Sequence, residues 1–119
     1  MCGRFHLSYT PEELLDSFHL DHVIPFESRF NITPRSYSPV IRNTSPGELS
    51  FCYWGLIPSW AKDSKFSPIN AKAETIREKP FFRAAMRSRR CIIPAHGFYE
   101  WHGEKGNKQA YYIHPAEKT

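Results

Sequence analysis

The residue with the most unusual chemical potential is Cys2, because it directly follows the initiator methionine. A small side chain at this position is what methionine-trimming aminopeptidases accept, and the mature chain would then begin with an amine and a thiol on adjacent carbons. An α-amine loses its proton more readily than a lysine side chain, so it is the better nucleophile near neutral pH. It can condense with an aldehyde to a Schiff base, on which the thiol closes intramolecularly to give a thiazolidine. The alternative is an ordinary cysteine near the start of the chain.

Glu100 and Asn70 are two further candidates for catalytic work. Glu100 lies among bulky rings in the run Gly97-Phe98-Tyr99-Glu100-Trp101, where a carboxyl group is a candidate acid or base. The alternative is a strand glutamate that faces solvent between inward-facing aromatics. The side-chain carbonyl of Asn70 could hold an amine by a hydrogen bond, although turn formation ahead of a helix is the commoner use of asparagine.

Positive charge and aromatic rings favour a nucleic-acid partner. The chain has 16 Lys and Arg, 3 Trp, 6 Tyr and 9 Phe, and such rings and cations suit unstacked bases and phosphates. Residues 1–60 have four basic and six acidic side chains, whereas residues 61–119 have twelve basic and six acidic ones. Four arginines lie within eight residues: Arg83, Arg87, Arg89 and Arg90. These arginines could bind a polyanion or form a solvated surface. Trp54 and Trp60 could stack on bases or fill the core.

Several classes of protein are not expected. The longest apolar stretches are only a few residues long, and the N-terminus lacks the apolar region of a secretory signal, so we expect neither a membrane helix nor export. Cys2, Cys52 and Cys91 are odd in number and widely spaced, which fits neither a disulfide framework nor a zinc knuckle. The six histidines lack metal-binding spacing, so we expect no metal site and no cofactor.

The local patterns predict an α+β class with a barrel-like sheet, in one domain of 119 residues. Thr10-Pro11-Glu12-Glu13 has the composition of a capping box, which predicts a helix over residues 11–20. A second helix is predicted over residues 80–89. Extended segments are predicted at residues 29–34, 37–42, 48–54, 91–93, 97–101 and 109–113, with a hairpin turn at residues 43–47.

Five blocks of the sequence together resemble the SRAP family, the SOS-response-associated peptidases. They occur in the family's order and span the chain: Met1-Cys2-Gly3-Arg4-Phe5, Arg29-Phe30-Asn31-Ile32-Thr33-Pro34, Trp54-Gly55-Leu56-Ile57-Pro58-Ser59-Trp60, Ile69-Asn70-Ala71-Lys72-Ala73-Glu74-Thr75, and residues 91–101. The resemblance implies a mixed, barrel-like sheet with short flanking helices. It also implies that residues 1–119 are the N-terminal portion of the family's domain.

The resemblance further implies a protein that recognises an abasic site in single-stranded DNA and shields it in a covalent thiazolidine once Met1 is removed. Cys2 would be the nucleophile, Asn70 would hold its amine, and Glu100 would act as acid and base on the deoxyribose. The implied DNA-binding residues are Arg4 and Lys72 at phosphates and Asn31, Pro34 and Trp60 along the groove. Secondary autopeptidase and lyase-like activities, a location on DNA inside the cell, and a monomeric state on DNA are implied as well.

Two features depart from the SRAP pattern. Lys72 stands where the family usually has arginine, which keeps the charge but lacks the bidentate fork. The family's domain is also considerably longer, and its later part has a His-x-Arg-Met-Pro motif that does not occur here; His114 is no substitute. We therefore expect a domain that is incomplete at its C-terminal end, with an unpaired edge at its last strand.

Three alternatives to covalent abasic-site binding stay open at this point. A non-covalent module for single-stranded DNA needs only the rings and the positive charge. An N-terminal-nucleophile peptidase would use the Cys2 amine as base and its thiol as nucleophile against a peptide bond. An inactive remnant would fold without the groups that the absent motif supplies.

Overall fold

The computed structural model describes residues 2–116, which form two antiparallel sheets and two short helices. The elements are β1 (Phe5–Leu7), α1 (Pro11–Phe18), β2 (Arg29–Ile32), β3 (Tyr37–Arg42), β4 (Leu49–Tyr53), α2 (Arg83–Ser88), β5 (Cys91–Ile92), β6 (Gly97–Glu104) and β7 (Asn107–Ile113). The strand orders are β2-β1-β6-β7 and β4-β3-β5. The predicted mixture of short strands and helices is thereby confirmed, whereas closure into a barrel stays a prediction, because the described strands form two open sheets.

The first helix begins at the predicted capping box. The Thr10 side chain accepts a hydrogen bond from the Glu13 amide at 3.2 Å, and the Glu13 carboxylate accepts one from the Thr10 amide at 2.8 Å. The helix ends at Phe18, two residues before the predicted end, because His19 adopts a left-handed conformation with φ of 52°. Leu14 then packs into the first core, which also contains Leu20, Ile41 and Leu49.

The predicted hairpin is confirmed. Strand β3 pairs with β4 from Tyr37 opposite Tyr53 to Ile41 opposite Leu49, and it pairs with β5 on its other side through Ile41 and Ile92. Because β3 is central in its sheet, four consecutive residues, 38–41, are buried.

Strand β1 was not among the predicted extended segments, yet it is central in the four-stranded sheet. Phe5 pairs with Ile32 of β2 on one side and with Phe98 of β6 on the other. Phe5, Leu7 and Ile32 form the second core. Three residues are too few to show a reliable alternation, so only the pairing with distant strands reveals β1.

The second helix is shorter than predicted. Residues 80–82 form a turn, and α2 occupies only Arg83–Ser88, with no side-chain hydrogen bond capping its start. Strand β6 is longer than predicted because it continues to Glu104, where a tight turn with Gly106 at φ of 90° leads into β7. The prediction for residues 91–93 holds for Cys91 and Ile92 alone.

The C-terminal strand lies at the edge of its sheet, as the sequence predicts. Every residue of β7 is exposed, and apolar side chains are uncovered nearby on β5 and β6. The exposed set includes Ile92, Ile93, Phe98, Trp101, Tyr111, Tyr112 and Ile113. Among the described residues, no helix is both long and apolar enough to cross a membrane.

Candidate active site and nucleic-acid interface

Cys2 lies just ahead of β1 with a free, half-buried thiol. Its Sγ donates a weak hydrogen bond to the Arg4 carbonyl oxygen at 3.3 Å. Beside it, a Cβ added to Gly3 would meet no atom within 4 Å. The backbone at Gly3, directly after the thiol-bearing residue, is therefore open to the approach of a ligand. The expected removal of Met1 concerns a residue outside the described range.

Arg4 lies in a small cluster on one face of the four-stranded sheet. Its guanidinium donates to the Asn31 side-chain oxygen at 3.3 Å, and its central carbon lies 5.6 Å from the centre of the Trp101 ring. The Tyr99 amide donates to the Arg4 carbonyl at 3.0 Å, which sets β6 beside this residue. Because all three cluster side chains are exposed, a cation, an amide and a large ring are available to a ligand together. Pro34 follows β2 and is half-buried.

Glu100 lies on the opposite face of the sheet from this cluster. It pairs with Tyr111, and the alternation along β6 sets it on the same side as Phe98 rather than with Tyr99 and Trp101. Glu100 is half-buried, so its carboxyl group as acid or base stays a prediction beside the alternative of a strand glutamate that faces solvent.

Asn70 lines an open cavity of about 660 Å³ between the two sheets. The walls include Phe5 of β1, Val40 of β3 and Cys52 of β4. The segment with Asn70 is fixed by Trp54, whose indole N–H donates to the Ile69 carbonyl at 2.8 Å. Trp54 is partly buried, packs against the second core and also lines this cavity, so the structure gives it a packing role.

Two exposed rings and one half-buried ring form a separate group, here called the aromatic cluster: Trp60, Phe66 and the half-buried Phe81. Both Trp60 and Phe66 meet the Phe81 ring edge to face at 5.5 Å between centroids. Trp60 is 63% exposed and Phe66 is 70% exposed. The core alternative for Trp60 is therefore wrong, and its ring is available for stacking. Lys72 is exposed on the chain segment that follows Asn70.

The comparison with known proteins identifies the chain. The family model described as SOS response associated peptidase (SRAP) matches residues 1–119. The chain belongs to the SRAP family. It is similar to the abasic site processing protein YoaM of Bacillus subtilis, with 45% identity over 107 residues that cover 85% of this chain and 47% of the relative. It is also similar to the abasic site processing protein HMCES of Xenopus tropicalis, with 32% identity covering 79% of this chain and 34% of the relative.

Solved structures show a similar fold. A Bacteroides thetaiotaomicron protein has a TM-score of 0.84 at 27% identity, covering 98% of this chain and 56% of its own. A phage-related protein of Bordetella bronchiseptica has a TM-score of 0.75 at 30% identity, covering 97% and 56% respectively. The chain thus spans between about a third and somewhat more than half of the length of the relatives and solved structures named here.

The residues implied by the SRAP resemblance lie in three places. Arg4 and Asn31 are in direct contact, Asn70 and Glu100 lie toward the other side of the sheet, and Trp60 belongs to the aromatic cluster. The rings that the sequence analysis did not single out are Trp101, Phe66 and Phe81. Phe66 lies in a proline-punctuated loop with aromatic residues, a sequence pattern typical of functional rims, but the pairing of Trp101 with Arg4 depends on strand register.

A cluster of His and Tyr side chains on the four-stranded sheet was also not predicted from the sequence. His6 Nδ1 lies 2.9 Å from the Tyr112 hydroxyl, and its ring packs 5.7 Å from that of His96. Burial, and then the nearby His96, lower the pKa of His6, while burial, and then Tyr99, raise the pKa of Tyr112. This cluster joins β7 to β1. Among residues 2–116, no group of three His, Cys, Asp or Glu side chains is arranged to hold a metal ion.

Proposed function

We propose that this SRAP chain recognises abasic sites in single-stranded DNA and binds them covalently through Cys2. The observation that carries the proposal is the free Cys2 thiol, which is followed by the open backbone position at Gly3 and lies two residues from the exposed Arg4 side chain. The relatives YoaM and HMCES, named as abasic site processing proteins, support the same substrate class. A location on DNA inside the cell and a monomeric complex with DNA belong to this proposal.

The covalent step follows from the chemistry of a ring-opened abasic sugar. Once Met1 is removed, the Cys2 amine attacks the C1 aldehyde carbon, and loss of water leaves a Schiff base. The thiol then adds to the imine carbon through sulfur, and its proton passes to the nitrogen. The product is a thiazolidine, and no oxidant or reductant is consumed. The adjacent position of amine and thiol makes the second step intramolecular and therefore fast.

Asn70 and Glu100 assist these steps in the proposal. The side-chain oxygen of Asn70 accepts a hydrogen bond from the amine and orients it. Glu100, half-buried beside Phe98 on β6, donates a proton to the sugar ring oxygen during opening and accepts one on reversal. Removal of Met1 by the chain itself and lyase-like cleavage of the DNA are secondary uses of the same groups.

The proposed DNA groove uses two cations and three other residues. Arg4 binds a phosphate with its planar fork, whereas Lys72 provides a single point charge. The exposed Trp60 ring stacks on a base, since aromatic stacking tolerates any sequence. Asn31 is held near Arg4 by their hydrogen bond, and Pro34 closes the groove next to β2.

The test is incubation of the chain with an abasic single-stranded oligonucleotide, followed by denaturing electrophoresis and intact-mass measurement. The expected result is a denaturation-resistant adduct whose mass shows loss of Met1 and addition of DNA with loss of one water. Cys2→Ala removes the adduct, whereas Cys91→Ala, a change at another free and exposed thiol, preserves it. An adduct that persists in Cys2→Ala contradicts the mechanism, and salt-sensitive binding without any adduct supports the non-covalent alternative.

A further inference from the structure

We propose that a cleft of four arginines beside α2 is a second nucleic-acid site, which binds the phosphodiester backbone of a single strand. The cleft has a volume of about 340 Å³ and is lined by Arg77, Arg83, Met86, Arg87 and Arg90. We call it the arginine cleft. The inference deepens the proposed function by extending the DNA path beyond Arg4 and Lys72, and it rests on that proposal only for the class of ligand.

The local structure holds these arginines together. Arg83 and Arg87 are one helical turn apart and share a face of α2. Arg90 follows the helix and is fixed by Asn43, whose side-chain oxygen accepts from the Arg90 amide at 2.9 Å. The Asn43 side-chain amide also donates to the Ser88 carbonyl at 3.3 Å. The end of α2 is thus held against the β3–β4 hairpin.

The charge of the arginine cleft favours an anion. No Asp or Glu lines it, and across residues 2–116 none of its four guanidinium groups donates to a carboxylate. Like charges one turn apart destabilise a helix, and α2 has no side-chain cap to compensate. A phosphate that accepts from two guanidinium forks relieves this repulsion. All four arginines are exposed and so accessible to such a ligand.

The surroundings favour a nucleic-acid strand over a small anion. Phe81 of the aromatic cluster lies in the turn between Arg77 and Arg83, and Trp60 and Phe66 contact its ring. Exposed rings next to a row of cations match the stacking surfaces and charged grooves that bind single strands. Arg90 also lines the larger cavity that has Asn70 in its wall. A strand in the arginine cleft therefore extends toward the candidate active site.

The test measures binding of an undamaged, fluorescently labelled oligothymidine at several salt concentrations, so that no adduct can form. Two double variants are compared. The first combines Arg83→Gln and Arg87→Gln; the control combines Lys105→Gln and Lys108→Gln, which removes the same charge around the exposed β6–β7 turn. A plot of log affinity against log salt concentration falls with salt, and we expect the arginine double variant to make this fall less steep by about 1.4. The ratio of the affinity of the unchanged chain to that of the variant should therefore decrease about sevenfold between roughly 50 and 200 mM salt. The lysine pair leaves the slope unchanged.

An unchanged slope in the arginine pair, or an equal fall in both pairs, overturns the proposal. Circular dichroism checks that α2 remains folded in the double variant. If α2 unfolds, the second variant is Arg77→Gln, in the turn outside the helix, which is expected to make the salt dependence less steep by about 0.7. An unchanged salt dependence in Arg77→Gln overturns the proposal as well. The adduct assay with abasic DNA is independent of this measurement. Loss of adduct chemistry with an intact arginine effect refutes the Cys2 mechanism alone, and the reverse result refutes the arginine cleft alone.

Discussion

The hydrogen bond between Trp54 and the Asn70 segment provides the most informative test of how the fold positions the site. The indole N–H of Trp54 donates to the Ile69 carbonyl at 2.8 Å, and its ring lies 5.6 Å from that of Phe5. Trp54→Phe removes the donor and leaves the half-buried Ile69 carbonyl without this partner. A lost hydrogen bond of this kind costs about 1–1.5 kcal/mol, and the smaller ring adds a packing loss in the second core.

We therefore expect Trp54→Phe to lower the free energy of unfolding by about 1–3 kcal/mol. Urea denaturation followed by tyrosine and tryptophan fluorescence measures this change, with circular dichroism as a second probe. The matched control is Trp60→Phe, which replaces the same residue type where the ring is 63% exposed, and its expected effect is below about 0.5 kcal/mol. Adduct formation should slow in Trp54→Phe because Asn70 is no longer held.

Equal stabilities of the two variants would refute this reasoning, since they differ mainly in the Ile69 hydrogen bond and in burial. A destabilised Trp54→Phe that forms the adduct at the normal rate would show that the position of Asn70 does not limit the chemistry. The two outcomes are separable because one is read from urea midpoints and the other from adduct yield against time.

Two other changes test the helix cap and the His6 cluster. Thr10→Ala removes the acceptor of the Glu13 amide and is expected to lower the free energy of unfolding by about 1 kcal/mol, as measured by urea denaturation. The control Ser17→Ala, at an exposed position of the same helix, should be neutral or stabilising. Equal losses in the two variants would contradict the capping role. Burial, with a smaller contribution from the charge of His96, lowers the pKa of His6. The unfolded chain therefore takes up a proton at His6 more readily than the folded chain. The stability due to neutral His6 is complete above the unfolded value of about 6.5 and is lost as pH falls through the lowered pKa. The Tm should therefore fall between about pH 7 and pH 5, and His6→Asn, which removes this titration beside His96 and Tyr112, should flatten the fall; parallel curves for the two proteins would contradict this account.

Local patterns in the sequence were sufficient wherever short-range chemistry determines the structure. The Thr10–Glu13 capping box depends only on residues three apart, and it forms as predicted. The β3–β4 hairpin follows from two apolar runs and a turn between them, so its register is also local. By contrast, β1 has three residues and exists only because β2 and β6 pair with it.

The candidate site was predicted in part for the same reason. The Cys2 nucleophile depends on position in the chain, and positional chemistry can be read without a structure. The Arg4 cluster requires the register of β6 against β1, which sets Trp101 under the guanidinium. The exposure of Trp60 and the partial burial of Trp54 likewise depend on which core each ring can reach.

The sequence by itself indicated the class of fold and the candidate chemistry: a thiol at position 2, a chain rich in aromatic residues with a basic second half, and an α+β domain of the SRAP family. The tertiary structure decided which of the many cations and rings act together. It separated Arg83 and Arg87 from Arg89, since the first two line the arginine cleft and Arg89 lines the cavity between the sheets, while Arg90 lines both. The physical reason is that helix phase and strand register, rather than proximity in the chain, set the direction in which a side chain projects.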